Sequence, residues 1–136
     1  MFLSVEEQAL TEEYLRHGYI IRPVADQKAL ALIRKKIISL STQELRVEND
    51  LNVENWLNQI HESVPVEKLN DFRMKMIMGI NAEADFRKQY FHLASPFLET
   101  LVGNELAMQL RVNLSIQFPD DDSSLLPVHA DTWSGD

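Results

Sequence analysis

The sequence contains no cysteine. That removes disulfides, thiolate metal sites and cysteine nucleophiles together, and it fits a reducing compartment. No apolar run approaches the ~20 residues of a membrane-spanning helix. The first residues, Met1-Phe2-Leu3-Ser4-Val5-Glu6-Glu7, turn acidic too early for a secretory signal. Positive charge is also scarce. The 13 Lys and Arg residues face 21 Asp and Glu residues, a formal net charge of −8. Nucleic acid and anionic membrane surfaces both call for clustered Lys and Arg, so neither is an expected partner. There is no internal repeat, low-complexity stretch or interdomain linker. These absences lead to the expectation of a soluble cytoplasmic protein, and 136 residues are enough for one domain with a real core.

The front of the chain carries helix signals. Ser4-Val5-Glu6-Glu7 is a capping box, in which the Ser hydroxyl and the Glu carboxylate each satisfy one unpaired N–H of the first turn. Val5, Ala9, Leu10 and Tyr14 follow at helical spacing, and Gly18 stops the helix. Tyr19–Val24 reads as a short strand, at an edge or a strand end because of Pro23. Asp26 caps a second helix through about Leu40, with Leu30, Ile33, Ile37 and Leu40 inward, and Ser41–Asn49 reads as a polar loop. Further helices are expected over Leu51–Glu62, Val66–Ile80 and Glu83–Ala94. Ser95-Pro96 restarts a last one, with Ser as cap and Pro at the first helical position, and Gly103 closes it.

The pattern then changes period. Leu110, Val112, Leu114, Ile116 and Phe118 alternate without exception with Arg111, Asn113, Ser115 and Gln117. That predicts a strand over Gln109–Phe118. An acidic loop with Asp120, Asp121 and Asp122 follows. It lacks the spaced oxygens and the glycine of a known calcium loop, so it reads as a solvated turn. A second extended segment, Leu125–Asp131, holds His129-Ala130-Asp131. In extended chain, residues i and i+2 face the same side, so an imidazole nitrogen and a carboxylate oxygen can reach one ion. This H-x-D pair is two thirds of the 2-His-1-carboxylate triad of non-haem Fe(II) oxygenases. Read alone, His129 is better taken as a surface histidine near a strand end, and its sequence context changes that weighting. His17, His61 and His92 sit in helical contexts and read as surface or helix-end residues. Met74, Met76 and Met78 alternate within a helical segment and so divide between core and surface.

The order of strand, acidic loop and Leu125-Leu126-Pro127-Val128-His129-Ala130-Asp131-Thr132-Trp133 resembles the phytanoyl-CoA-dioxygenase-like Fe(II)/2-oxoglutarate oxygenases. A closer resemblance is to the 2-oxoglutarate/Fe(II) oxygenases of bacterial sporadic carbohydrate clusters. It is carried by Val102–Gln109, Asn113–Gln117 and Ser123–Gly135. The resemblance implies metal ligands at His129 and Asp131, with Fe(II) as metal and 2-oxoglutarate as cosubstrate. The distal His and the basic residue that grips 2-oxoglutarate would lie beyond Asp136, so the expectation is the N-terminal part of a longer enzyme, inactive alone.

The expected fold class is α+β. Residues 1–103 form a mainly helical region with the short strand near 19–24, and 104–136 open a double-stranded β-helix, the jelly-roll or cupin-type barrel. Together they make one incomplete domain. Asn113 and Gln117, on the polar face of the strand, either line a ligand cavity or are solvated. Trp133 either walls that cavity, stacking on a sugar ring, or packs in the core. The implied activity is hydroxylation of a small-molecule intermediate of surface carbohydrate biosynthesis, such as a nucleotide- or lipid-linked sugar. The rival readings are a non-catalytic sugar-binding or scaffold protein on the same barrel, and a helical interaction module.

Overall fold

The computed structural model describes residues 3–47 and 55–122. Six α-helices run through them: α1 (Val5–His17), α2 (Gln27–Leu45), α3 (Trp56–Gln59), α4 (Leu69–Ala82), α5 (Phe86–His92) and α6 (Ser95–Val102). Short 3-10 turns at Ile60–Glu62 and Val66–Lys68 follow α3 and precede α4. The chain divides into two compact units, Met1–Ile33 with Asp85–Met108, and Arg34–Ala84 with Gln109–Asp136. The division falls inside α2.

In the first unit the helix ends follow the sequence closely. Ser4 Oγ accepts from the Glu7 N–H at 3.2 Å and Glu7 Oε2 accepts from the Ser4 N–H at 2.7 Å, which closes the capping box. Gly18 takes a left-handed φ of 77° and donates its N–H to the Tyr14 carbonyl. That conformation costs any residue with a Cβ. Asp26 Oδ1 accepts from the N–H groups of Lys28 and Ala29, both at 2.9 Å, and caps α2. α1 packs on α6, and α6 on α5. The Ala25 N–H reaches the Leu93 carbonyl at 2.9 Å, and Arg87 donates to the Met108 carbonyl. Ser95 is itself the first residue of α6 and not its cap. The cap position belongs to Ala94, whose carbonyl accepts from Phe97 and Leu98.

The second unit holds the larger core. Trp56, Ile60, Val64, Leu69, Phe72, Met76 and Phe118 form one buried cluster, with Ile37, Leu40, Leu114 and Ile116 among the partly buried side chains packed on it. α4 buries Leu69, Phe72, Met76 and Ile80 at helical spacing, and the first three belong to this core. Met74 and Met78, four residues apart on the opposite face, are 46% and 69% exposed, whereas Met76 is 2% exposed. Gly79 makes room for Leu40: a Cβ there would lie 3.0 Å from Leu40 Cδ2.

α2 continues to Leu45, so residues 41–45 are helix and not loop. The reason is Ser41, a fully buried polar residue. Its Oγ accepts from Trp56 Nε1 at 2.7 Å and its hydroxyl donates to the Ile38 carbonyl at 2.9 Å. With both roles filled, the hydroxyl sits in the core at no net loss. Two ion pairs among the described residues of this unit, Lys36–Glu83 at 2.6 Å and Lys75–Glu44, lie on its surface, where such pairs add little to stability.

The expected β-structure is corrected. Among the described residues there is no strand and no sheet, so the α+β reading with an opening jelly-roll barrel does not hold. Residues 19–24 are irregular, with Tyr19 63% and Ile21 79% exposed. Residues 112–118 belong to no strand, and their burial follows the two-residue period of an extended chain. Val112 and Phe118 are buried, Leu114 and Ile116 are partly buried, and Asn113, Ser115 and Gln117 are exposed. Leu110, assigned to the inner face, is 85% exposed. Period-2 patterning records that one side of an extended chain is covered. It does not say that the cover is another strand, and here the cover is helical.

Candidate functional site

Of the residues singled out for chemistry, Asn113 and Gln117 are described. His129, Asp131 and Trp133 lie outside the described residues, as does the second extended segment. Asn113 and Gln117 stand on the same exposed side of the extended segment 112–118, four residues apart. They therefore face away from the apolar cluster.

What holds this segment in place is a residue the sequence reading missed. Asn81, in the last turn of α4, accepts the Val112 N–H at its Oδ1 and donates its Nδ2 to the Val112 carbonyl, both at 2.8 Å. The same Nδ2 donates to the Ile77 carbonyl at 2.8 Å, which fixes the amide on its own helix. A side-chain amide has the same donor and acceptor as a peptide group. Asn81 thus does for Val112 what a neighbouring strand would do. No local signal marks it: its partner is 31 residues away in sequence.

At the far end of the segment, the His61 ring lies 6.3 Å from the Phe118 ring at 60°. The chain then turns. The Asp121 N–H points to the Phe118 carbonyl at 3.4 Å, and Asp120 takes a left-handed φ of 57°, a conformation that a short polar side chain tolerates. His61 is half-buried in the 3-10 turn after α3, whereas His17 and His92 are the last residues of α1 and α5. The helix-end reading therefore fits His17 and His92, and His61 is a packing partner of Phe118. Among the described residues no three His, Asp or Glu side chains are placed to share a metal ion.

The chain matches no protein-family model, no curated protein and no solved structure.

One groove in the first unit is also relevant. It is lined by Leu3, Glu7, Leu10, Arg22, Phe97 and Thr100, among others. Among the described lining residues the one cation is engaged: Arg22 Nη2 lies 2.5 Å from Glu13 Oε2. The guanidinium's hydrogen bond to Glu13 holds the Glu13 carboxyl below its ordinary value and raises Arg22 above its own. Glu7 is likewise lowered, chiefly by the Ser4 backbone N–H. Of the groove's carboxylates Glu7 is thus held as an anion, and its arginine is paired to Glu13.

Proposed function

We propose that this chain supplies His129 and Asp131 as two protein ligands of a non-haem Fe(II) site, in an enzyme that uses 2-oxoglutarate to hydroxylate a small-molecule, sugar-linked substrate. The observation that carries this reading is the H-x-D tripeptide within Ser123–Gly135 and the resemblance of that block to the carbohydrate-cluster oxygenases. The donor set fits the metal. One imidazole nitrogen and one carboxylate oxygen are ligands that Fe(II) accepts while keeping positions for other groups. When bound, the metal and 2-oxoglutarate supply oxidative decarboxylation of the cosubstrate coupled to hydroxylation of a substrate carbon. The part of this chain is to hold and orient: His129 and Asp131 fix the ion, and Asn113, Gln117 and Trp133 are placed in sequence to contact substrate or cosubstrate.

A second reading, a helical interaction module, is favoured by the wholly helical elements of the described residues. One experiment separates the two. Fe(II) is added anaerobically to the isotopically labelled chain and the four His imidazoles are followed by NMR. Paramagnetic broadening concentrated on His129, and lost in Asp131→Ala, is the expected result. Equal broadening of His17, His61, His92 and His129, unaltered in Asp131→Ala, would instead leave the helical module. Two protein ligands hold iron weakly, so the chain alone is expected to form no succinate above a metal-only blank.

A further inference from the structure

Asn81 occupies one edge of the segment 112–118 at Val112. In extended chain the N–H and C=O of a residue point to one edge, and those of the next residue to the other. Val112 turns both groups to Asn81. Leu114 and Ile116 share that edge, beside Asn81, with no backbone partner of their own among the described residues. Asn113, Ser115 and Gln117 therefore present their N–H and C=O groups to the opposite edge, where they have no hydrogen-bond partner among the described residues. Their side chains are exposed as well. A row of open donors and acceptors is a template for another extended chain.

We infer that this edge pairs with the same edge of a second copy of the chain, antiparallel and centred on Ser115. Charge chooses the occupant and the direction. The stretch Val112–Phe118 contains no charged residue, so two copies meet without like-charge repulsion along the ladder. Arg111 precedes it and the acidic turn with Asp120 and Asp122 follows it. Antiparallel pairing about Ser115 sets Asn113 opposite Gln117 of the other copy and brings each Arg111 to the acidic turn of its partner. A parallel, in-register pairing would set arginine on arginine and aspartate on aspartate. The alternation also suits the register: Asn113, Ser115 and Gln117 are the residues whose backbone groups face outward, so all three form hydrogen-bonded pairs around one two-fold axis. This inference is independent of the iron reading, and a failure of either leaves the other standing.

The absence of native cysteine gives a clean test. Paired residues at the two-fold axis bring Cα atoms to about 5.5 Å, within disulfide range. Under mild oxidation Ser115→Cys is expected to form a covalent dimer. Gln117→Cys is expected to form no covalent dimer, because residues 117 of the two copies lie about 13 Å apart along the strands. In sedimentation equilibrium, Ser115→Pro removes both hydrogen bonds at the axis and is expected to raise the dimer dissociation constant about tenfold or more. Far-UV circular dichroism shows whether its helices persist. Arg111→Glu is expected to weaken the dimer, and adding Asp120→Lys to restore it. The inference is overturned if Ser115→Cys stays monomeric, or if Gln117→Cys crosslinks as fast. It is overturned equally if the chain is a monomer whose residue 113, 115 and 117 amides exchange slowly, since another part of the same polypeptide would then cover the edge.

Discussion

The two units describe similar lengths of chain and bury them very differently. In the second, Trp56, Ile60, Val64, Leu69, Phe72, Met76 and Phe118 close around one another. In the first, the buried apolar side chains are Leu10, Ala29, Ile33 and Phe86, while Val5, Leu15, Ile21 and Val102 remain 82%, 77%, 79% and 61% exposed. The first unit leans on local devices: a capping box, a left-handed glycine, an Asx cap and an Arg–Glu pair. Each of these acts on its own turn or pair at the surface, where single interactions add little. The second leans on apolar area, which stabilises at about 25 cal/mol per Å². Local devices hold helices in shape, and cooperative stability comes from the core.

The contrast is broken or sharpened most strongly by Met76→Ala. Met76 is 2% exposed at the centre of the second core, and its truncation is expected to cost about 2–5 kcal/mol in urea unfolding. Leu10→Ala, at 8% exposed in the first unit, should fall at or below the low end of that range. Equal losses would mean that the two units are equally well packed.

Next in size is Asn81→Leu. It removes three hydrogen bonds and strands the Val112 N–H and C=O, at an expected cost of about 1–3 kcal/mol. Hydrogen exchange at Val112 should accelerate while the amides in the middle of α4 keep their protection. Unchanged exchange at Val112 would show that apolar packing alone holds the segment.

Gly18→Ala acts on the first unit. With φ at 77°, a Cβ is expected to cost about 1 kcal/mol, read as fraying of the last turn of α1 with no change in Trp56 fluorescence. The smallest effect is acid. The folded values of Glu7 and Glu13 are depressed. Their contributions are therefore fully present above the ordinary carboxylate range and are lost as pH falls through the folded values. Amide shifts of the first turn of α1 should titrate with Glu7 and vanish in Glu7→Gln.

These regions also differ in how far the sequence foretold them. Ser4, Glu7, Gly18 and Asp26 act within four residues of their own position, so their roles are written locally and the structure agrees. Ser41 and Asn81 act across 15 and 31 residues, and nothing near either one announces its partner. A serine after a helical run reads as a loop, and only Trp56 makes it core. The alternation over 110–118 correctly marked Val112, Leu114, Ile116 and Phe118 as the covered side, but period alone does not distinguish helix from strand as the cover. At the candidate site the sequence placed Asn113 and Gln117 on one face, and the structure shows that face open to solvent. The chemistry assigned to His129 and Asp131 rests on their spacing and on the resemblance, both read from sequence.

The three methionines of α4 have a consequence for oxidative wear. With no cysteine in the chain, peroxide finds its sulfur in thioethers. Met74 and Met78 sit together on the outer face, and Met76 is shut inside. Sulfoxide formation tracks access, so the outer pair is consumed first, at positions where a polar sulfoxide is simply solvated. The inner sulfur, whose oxidation would place a dipole in the core beside Phe72, is the last to react. Helix α4 thus carries two expendable scavengers in front of the one sulfur on which its packing depends.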